Sequence, residues 1–585
     1  MAKHWRFHPH DGGYVARLTN DLGVSALTAQ VLVARGYRSA DAAESFLNPR
    51  LSDLHDPDEL PGVPEAADRI LGAVRAGRRV TIYGDYDVDG VSGTSLLWRC
   101  LKLLGAKVDY YIPHRLNEGY GLNADALRKL HAEDPQRLVV TVDCGVTAVA
   151  EAELARQLGL ELVITDHHQF GDRLPSAAAV VHPRHPEGNY PFGALCGAGV
   201  AFKLAWSLCR RLGDGRKASP RMRDYLLTSV GLAAIATIAD VVPLLGENRL
   251  LVRYGLESLR ERATPGLRAL LAASGISAEQ PLQADNDVAF GIGPRLNAAG
   301  RFGQARLAVE LLTTTDPARA QELAVYLSEL NAERQKAELR IVRQARELLE
   351  KHPDWQNAPA LVLTHPEWHA GVIGIVAGRL AERFERPVVL IAGGDGAVAP
   401  GSARTYGDCN LYAALAACRA HLLAFGGHEA AAGLKIELHR VDAFREAFVE
   451  YVAAHHRPRP EDGEIRIDAE VGLEDVTFRA VQELDRLGPF GEGNPRPVFA
   501  ARNVTLAAPP RRMGAGERHL DLRLAQNGAT IRAIAFGRGE WADEIAGAGE
   551  TISVCFRPNI NTFRGYSRVE LQLLDWRPEP VASLR

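Results

Sequence analysis

The sequence predicts a multidomain α/β protein, in which two α/β domains are joined by a long helix and followed by a small β-barrel. Three observations predict this fold class. Apolar runs alternate with helical patterns over residues 71–315 and again over 353–460, an uninterrupted helical pattern covers 316–352, and short strands fill 465–585. A strand–helix–strand order is typical of a parallel sheet with right-handed crossovers. A chain of 585 residues is also too long for one hydrophobic core.

The N-terminal segment, residues 1–70, combines helical stretches with the Pro-rich string LNPRLSDLHDPDELPGVP. We expect it to form a cap that packs on the first α/β domain.

The first α/β domain begins with a strand-like run at 80–82, which is followed by YGDYDVDG with Asp85, Asp87 and Asp89. Alternate residues of an extended segment point the same way, and ligands of open α/β sheets gather at the carboxyl ends of strands. Three carboxylates at one point repel one another unless a cation neutralises them, and hard divalent ions prefer oxygen ligands. The string indicates a metal site, although a solvated acidic loop would look similar.

Two further strand-like runs also end in potential ligands. One of them ends in Asp143, and the other ends in Asp166, His167 and His168. The carboxyl ends of successive parallel strands meet at one edge of a sheet. Recurrence at three strands therefore favours a metal centre over chance.

A fourth acid, Asp240, follows the almost wholly apolar stretch 226–239. A carboxylate in such surroundings is costly to bury unless it is paired or bound to a metal. An exposed helix end is the alternative interpretation.

The composition excludes several classes of protein. The net charge of −4 argues against a uniformly basic nucleic-acid binder, so any nucleic-acid path should be a local groove. No stretch approaches the ~20 apolar residues that span a membrane, and the N-terminus has no apolar signal region. Seven cysteines without metal-type spacing favour a reduced, cytoplasmic protein.

The pattern at 316–352 predicts a connecting helix that starts at Asp316 and Pro317. Its middle, 331–338, is almost entirely polar, and a helix that is polar all round at this point favours a strut that crosses between two domains. A dimeric coiled-coil arm fits less well because the apolar seam breaks there.

The second α/β domain, 353–460, contains a Gly-rich segment that ends in Ser402, Ala403 and Arg404. Backbone amides, a hydroxyl and a forked guanidinium are the groups that bind a terminal phosphate. His369 precedes a Gly- and Val-rich helix and His428 follows two glycines, but a lone histidine is often structural.

The last segment, 465–585, contains short strand-like runs that are separated by turns, and this pattern predicts a small barrel. It combines arginines with aromatic residues, namely Arg511, Arg512, Arg518, Arg523 and Arg532 with Phe499, Phe536, Phe556, Phe563 and Tyr566. This chemistry is typical of OB barrels that bind single strands by stacking and phosphate contacts, although some of the aromatics must belong to the core.

In order and spacing, the strings YGDYDVDG, VDCG, TDHH and IADVVPL resemble the motifs of the DHH superfamily of phosphoesterases. The chain is similar in particular to the RecJ family of single-strand-specific 5′→3′ exonucleases. That resemblance continues through RLNAAGR, WHAGVIG, GSAR, GGH and LGPFGEGNP, and so covers most of the chain. One departure is Tyr83, which stands where smaller members carry a histidine, with Asp85 inserted after it.

The resemblance implies two Mn²⁺ or Mg²⁺ ions about 3.5–4 Å apart in a catalytic centre. The implied metal ligands are Asp85, Asp87, Asp89, Asp143, His167 and Asp240. Asp143 would bridge the ions, with Asp87 on one and Asp89, His167 and Asp240 on the other, and His168 would contact the scissile phosphate as a further catalytic residue. The implied substrate-binding residues are Arg115, Arg295, Asn297, Arg301, His369, Ser402, Arg404 and His428.

The implied function is degradation of single-stranded DNA, preferably with a 5′-phosphate, to 5′-mononucleotides in DNA repair and recombination. A helicase and a single-strand-binding protein are the implied partners. One alternative is a DHH phosphodiesterase of small or cyclic oligonucleotides, for which the chain is long and the barrel has no role. Another is a non-catalytic RecJ-like DNA-binding scaffold, although every metal-type position is occupied here.

Overall fold

The computed structural model describes residues 3–213, 217–277, 279–394, 396–457, 463–563 and 566–579. The chain divides into two compact units. The first unit consists of residues 1–53 and 463–585, and the second consists of residues 54–462.

The N-terminal elements of the first unit are one strand and three short helices: β1 (His4–Phe7), α1 (Gly12–Leu22), α2 (Ala26–Ala34) and α3 (Ala40–Leu47). Asp11, Ser25 and Ser39 cap the three helices with their side-chain oxygens. Apolar residues of these helices, such as Leu18 and Leu32, share a core with residues of the C-terminal segment.

The predicted cap is therefore wrong for residues up to 53, which belong to one unit with the C-terminal segment and not to the unit that contains the first α/β domain. Strand β1 likewise pairs in parallel with residues 464–467. Of the predicted cap, only residues 54–70 belong to the second unit. The apolar face of a short helix is visible in sequence, but the distant segment that covers it is not.

The second unit opens with a five-stranded, all-parallel sheet in the order β3-β2-β4-β5-β6. Its strands are β2 (Arg79–Gly84), β3 (Lys107–Tyr111), β4 (Leu138–Val142), β5 (Glu161–Thr165) and β6 (Ala179–Val181). The predicted parallel sheet is confirmed. Helices cover both of its faces, which explains why its strands are nearly continuous apolar runs.

The helices of this part of the chain are α4 (Val63–Arg75), α5 (Val88–Leu103), α6 (Ala124–Glu133), α7 (Val149–Leu158), α8 (Gly197–Arg211), α9 (Pro220–Ala239), α10 (Gly246–Glu261), α11 (Pro265–Ala273), α12 (Gly293–Arg301) and α13 (Ala305–Thr313). A π-helix, Ala284–Ile292, precedes α12. By length and composition alone α9 would be able to cross a membrane, contrary to the expectation from sequence. Most of α9 is buried in this unit, as in the core helix of a globular protein.

The connecting helix α14 (Pro317–Lys351) has the predicted extent, but one side of its polar middle is buried. Asn331, Arg334 and Glu338 are buried. Asn331 Oδ1 accepts from Arg334 Nε at 3.0 Å, and Glu338 pairs with Arg334 and, at 2.7 Å, with Arg379. The polar middle is therefore solvated on one side only, because the polar groups of the other side satisfy one another in the interior.

A short helix, α15 (Pro353–Gln356), leads to a mixed sheet in the order β10-β11-β9-β8-β7. Its elements in chain order are β7 (Leu361–His365), α16 (Ala370–Phe384), β8 (Val388–Ala392), β9 (Val398–Arg404), α17 (Leu411–Ala417), β10 (Ala424–Gly427), β11 (Ala431–Glu437) and α18 (Val441–His455). Strands β7 and β8 are parallel and the others pair antiparallel.

The C-terminal part of the first unit contains the predicted barrel. Its elements are β12 (Glu464–Ile467), β13 (Ala469–Glu470), α19 (Phe478–Leu484), β14 (Phe499–Met513), β15 (His519–Gln526), β16 (Ala529–Ala535), α20 (Trp541–Ala546), β17 (Ile552–Phe563) and β18 (Tyr566–Pro578). Pairing of β14 with both β15 and β17 closes the ring β14-β15-β16-β18-β17.

The aromatic residues of the barrel fall into two groups. Phe499 and Phe556 are core residues, whereas Phe536 is 57% and Tyr566 is 75% exposed. The side chain of Phe563 lies outside the described residues.

Candidate metal centre and phosphate-binding cluster

The DYDVD segment starts where β2 ends, and two close contacts fix its path. A Cβ on Gly90 would lie 2.6 Å from the backbone N and O of Asp85, so only glycine fits there. Asp87 caps α5 by accepting hydrogen bonds from Asp89 N and Gly90 N with one oxygen. Its other carboxylate oxygen remains for a further ligand.

Asp89 is buried against the start of α8. Its two oxygens accept hydrogen bonds from Gly197 N at 2.6 Å and from Ala198 N at 2.7 Å. These two bonds to the N-terminal amides of α8 fix the position of the Asp89 side chain in the interior.

Asp143 follows β4 in a left-handed backbone conformation, with φ 66°. A Cβ on Gly197 would lie 2.6 Å from Asp143 Cβ, so any larger residue at position 197 would clash with the Asp143 side chain. The start of α8 therefore packs directly against this residue. Non-glycine residues in this region are strained, and such strain concentrates at functional sites.

His167 follows β5 and faces three carboxylates. Its Nε2 lies 3.2 Å from Asp143 Oδ1, 3.6 Å from Asp240 Oδ2 and 3.7 Å from Asp89 Oδ2. Asp240 stands at the end of α9 and completes the group. The apolar helix α9 therefore places Asp240 at the edge of the sheet, beside His167, and not in solvent.

The predicted ligands meet in three overlapping groups with metal-type spacing. Within each group, one ligand atom per residue lies within 4.8 Å of the others, in the sets Asp85–Asp87–Asp143, Asp89–His167–Asp240 and Asp143–His167–His168. Tyr83, in contrast, is fully buried and donates its hydroxyl to Gly121 O. It points away from this centre.

Three buried ligand atoms, Asp85 Oδ1, Asp143 Oδ1 and His167 Nε2, have no hydrogen-bond partner among the described residues. Burial, reinforced by the neighbouring carboxylates, raises the pKa of Asp85, Asp87, Asp143 and Asp240. Burial lowers the pKa of His167, which keeps its imidazole neutral. Buried acids without partners beside a neutral imidazole are the donor set that divalent cations require. The residues therefore fit two cations.

Metal binding is expected to raise the thermal stability of the protein, because cations relieve the repulsion among the buried carboxylates. A ligand at a hundredfold excess over its Kd stabilises the folded state by about 2.7 kcal/mol. Mn²⁺ should therefore raise the Tm of chelator-treated protein by several degrees in a thermal-shift titration.

The neutral variant Asp143→Asn provides the control for that titration. Without metal it should melt above the wild type, because one of the repelling charges is gone, and Mn²⁺ should raise its Tm only slightly. A wild-type Tm that does not respond to Mn²⁺ would contradict a metal centre here.

His168 is held differently from His167. Its Nδ1 lies 2.8 Å from Asp166 Oδ1, and Asp166 also accepts the backbone amides of His167 at 2.7 Å and His168 at 3.2 Å. Burial opposes protonation of His168, but the bond to Asp166 outweighs it and raises the pKa of His168. The same pair lowers the pKa of Asp166, although burial opposes this shift.

Two residues of this centre are not among the predicted site residues. The first is Asp166, for which the position directly before the histidine pair is the available signal in the sequence. The second is Tyr120, whose hydroxyl lies 3.1 Å from Asp143 O and 3.0 Å from His168 Nδ1.

A cluster of three arginines adjoins the metal-type centre. Arg115 stacks on the Tyr86 ring at 4.8 Å, and Arg301 donates to Gly371 O at 3.0 Å. Arg404 donates to Ser402 Oγ at 3.1 Å and to Ala403 O at 2.7 Å. Burial lowers the pKa of Arg301 and Arg404, and Arg115 lowers both further. Hydroxyl, carbonyl and aromatic partners leave the positive charges available to an anion.

A glycine row on α16 lets this cluster form. A Cβ on Gly371 would lie 2.3 Å from Arg301 O, and one on Gly374 would lie 2.9 Å from Ser402 Oγ and 3.2 Å from Arg404 Nη2. Arg301, Ser402 and Arg404 therefore lie directly against the helix. His369 caps α16, because its Nδ1 accepts a hydrogen bond from Gly371 N. This nitrogen is therefore used to cap the helix.

Three predicted substrate residues are placed elsewhere or already have partners. Asn297 accepts from Val88 N at 3.3 Å and thereby holds the metal-motif loop. Arg295 donates to Ser328 Oγ and Gly291 O, and it lines a cavity of about 740 Å³ whose described lining includes none of the other predicted substrate residues. His428 is exposed at the end of β10.

The all-parallel sheet with a carboxylate–imidazole centre at its edge and an arginine cluster beside it defines a metal-dependent phosphoesterase. Family models match three parts of the chain: the DHH family N-terminal domain at 79–232, the DHHA1 domain at 357–454 and the RecJ OB domain at 467–575.

The single-stranded-DNA-specific exonuclease RecJ of Bacillus subtilis is 39% identical over 98% of this chain and 70% of its own length. The crystal structure of RecJ from Thermus thermophilus with Mn²⁺ superposes with a TM-score of 0.83 at 34% identity, over 99% of this chain and 80% of that one. The Mg²⁺ complex from the same organism gives a TM-score of 0.77 at 33% identity, over 99% and 79% of the two chains. The chain belongs to the RecJ family.

Proposed function

We propose that the chain is a metal-dependent exonuclease that degrades single-stranded DNA from its 5′ end to 5′-mononucleotides. Exonucleolysis of single-stranded DNA is the activity for which its relatives are named. The observation that carries the proposal is the arrangement around Tyr86. Tyr86 stands between Asp85 and Asp87 in the chain, and Arg115 stacks on its ring at 4.8 Å. A Cβ on Gly300, the neighbour of Arg301, would lie 2.2 Å from the Tyr86 carbonyl oxygen, so the metal-type centre and the arginine cluster meet at this residue.

The metal centre would hold Mn²⁺ or Mg²⁺, the ions present in the related structures. Asp85 and Asp87 would hold one ion and Asp89, His167 and Asp240 the other. Asp143, which lies within ligand spacing of Asp85 and Asp87 and also of His167, would serve both ions. When bound, the two ions supply Lewis-acid polarisation of the phosphodiester and lower the pKa of the attacking water. The imidazole among oxygen ligands favours Mn²⁺ over Mg²⁺.

His168 would donate to a non-bridging oxygen of the scissile phosphate. The Asp166 carboxylate occupies its Nδ1, which leaves Nε2 for the substrate. Because the Asp166 bond favours the protonated form of His168, the imidazole carries positive charge where negative charge develops in the transition state.

The arginine cluster would bind the 5′-terminal phosphate and so set the polarity of digestion. Arg301, Ser402 and Arg404 supply charge-assisted donors on one wall, and Arg115 supplies a further cation. A strand anchored by its terminal phosphate presents its first phosphodiester to the neighbouring metal centre. Digestion then proceeds 5′→3′, one nucleotide at a time.

One substrate comparison tests this function. Single strands labelled at the 5′ or 3′ end, blunt duplexes of the same sequence and cyclic dinucleotides are incubated with the protein and Mn²⁺, and the products are resolved. We expect mononucleotides from the labelled 5′ end of single strands and slow or no cleavage of the others. Faster cleavage of cyclic dinucleotides would favour a small-molecule phosphodiesterase, and no cleavage of any substrate would favour a non-catalytic scaffold.

We expect the barrel to contribute affinity for long strands through its exposed aromatics. Stacking on one base is worth about 1–3 kcal/mol, so the double variant Phe536→Ala/Tyr566→Ala should bind a long single strand at least about tenfold more weakly. Fluorescence anisotropy at several salt concentrations checks this and should also show the steep salt dependence of phosphate contacts.

Two controls accompany that measurement. Tyr412→Ala, which removes a half-exposed aromatic of α17 outside the barrel, should leave the affinity for long strands unchanged. Cleavage of a short oligonucleotide should remain in the double variant, since the chemistry belongs to the second unit. Unchanged long-strand affinity in the double variant would assign these aromatics another role.

In the cell, the protein would act in the cytoplasm in DNA repair and recombination. An enzyme that needs single strands depends on a helicase to produce them, and a single-strand-binding protein would occupy the same substrate. Co-purification of a helicase with the tagged protein, before and after nuclease treatment, tests whether such a partner contacts the chain directly or only through DNA.

A further inference from the structure

The backbone of the His167–His168 pair is fixed on both sides. Asp166 accepts both of its amides, whereas two side chains from the segment after β6 hold its carbonyls. His182 Nε2 lies 2.8 Å from His168 O, and Arg184 Nη2 lies 2.6 Å from His167 O. Parallel pairing of Thr165 with Val181 places this segment beside the histidine pair.

His182 is wholly buried and both of its ring nitrogens are used. Nδ1 accepts from Arg184 N at 3.0 Å, and Nε2 meets a carbonyl, which can only accept. The proton must therefore be on Nε2 and the ring must be neutral. Phe170 packs on this ring at a centroid distance of 4.2 Å, which restricts its rotation.

We propose that His182 is a positioning residue for His168. Its hydrogen bond fixes the peptide that follows His168, while Asp166 fixes the imidazole itself, and together they direct His168 Nε2 toward the scissile phosphate. This inference rests on the proposed role of His168 in the reaction. The competing interpretation is a satisfied core histidine that only secures the segment after β6.

The geometry suggests a pair of matched substitutions. His182→Leu keeps a similar volume but removes the donor, and His182→Gln retains an amide donor near the position of Nε2. We expect His182→Leu to lower kcat about tenfold and to leave the half-saturating Mn²⁺ concentration within about twofold, because His168 is not among the proposed metal ligands. His182→Gln should recover most of the lost kcat.

A double-mutant cycle with His168→Ala separates positioning from a general structural effect. His168→Ala alone should lower kcat about a hundredfold, and His182→Leu should then cause less than a further twofold loss, because it acts through the imidazole already removed. Multiplicative losses, or a kcat of His182→Leu within threefold of wild type, would overturn the inference. A large rise in the half-saturating Mn²⁺ concentration would also overturn it, since the effect would then lie on the metal ligands.

The same cycle distinguishes failure of this inference from failure of the proposed function. If His168→Ala retains wild-type kcat, the proposed role of His168 is wrong. If His168→Ala is impaired but the two losses multiply, only the role of His182 is wrong. Should His182→Leu not fold, His182→Phe, which keeps a planar ring against Phe170 and lacks the donor, takes its place in the cycle.

Discussion

Replacement of Asp143 by alanine is expected to abolish hydrolysis of single-stranded DNA while leaving the fold intact. Asp143 belongs to two of the three metal-type groups, so its loss would remove a ligand from both ions at once. We expect the rate to fall at least a thousandfold, which corresponds to about 4 kcal/mol of transition-state stabilisation. Single-turnover cleavage of a 5′-labelled single strand in saturating Mn²⁺ measures the change.

The matched control is Asp125→Ala on α6, which removes an aspartate that is 95% exposed and, among the described residues, forms its one ion pair with Arg128 on the same helix. Its rate should equal that of the wild type, and circular dichroism should show that both variants are folded. A rate for Asp143→Ala above a tenth of the wild-type rate would be too mild for a shared ligand and would remove Asp143 from that role.

The position of the metal centre could be predicted because parallel sheets place successive strand ends together. Asp85 and Asp143 come directly after β2 and β4, and His167 follows β5 with one residue between them. Strands β2, β4 and β5 are neighbours in the sheet. Asp240 could be included among the predicted ligands, because an acid that follows a long apolar helix requires a partner. The order of the strands and the alternation of side chains along them are therefore sufficient to predict where the metal centre lies.

Contacts between distant segments could not be predicted in this way. The burial of Asn331, Arg334 and Glu338 depends on Arg379, which is contributed by another helix, and a polar stretch looks the same in sequence whether it is solvated or paired. The N-terminal helices pack on residues more than 400 positions away. Their sequence pattern predicts an apolar face, but it does not show which segment covers that face. The sequence places Asp166 among the potential ligands at a strand end, but only the structure shows that its carboxylate holds the His168 imidazole and both histidine amides.

The glycines of the second unit illustrate a further limit. Gly90, Gly197 and Gly374 are ordinary residues in the sequence. In the structure, however, a Cβ at each of them would lie within 3 Å of an atom of a proposed functional residue. Sequence shows that glycine permits such an approach, but only the structure shows which glycines are used for one.

Loss of the Arg404 guanidinium is expected to remove the preference for a 5′-phosphate. A hydrogen bond to a charged group contributes about 1.5–3 kcal/mol, so Arg404→Ala should lower the ratio of kcat/KM for 5′-phosphate over 5′-hydroxyl substrates by roughly 10–100-fold. Arg404→Lys keeps the charge but loses the two-pronged donor, and most of the preference should be lost there too. Paired kinetics on one oligonucleotide with either 5′ end give the ratio.

Two glycines of α16 test whether geometry, and not charge alone, produces this preference. Gly374→Ala leaves every charge in place but puts a methyl group 2.9 Å from Ser402 Oγ and 3.2 Å from Arg404 Nη2, so it should lower the same ratio. Gly378→Ala is the matched control, because its methyl group would meet only Arg404 Cγ at 3.8 Å, an ordinary contact. Both changes gain similar helix propensity, so a general effect on α16 would appear in both variants. Equal ratios in wild type, Arg404→Ala and Gly374→Ala would mean that the terminal phosphate is anchored elsewhere and that polarity has another origin.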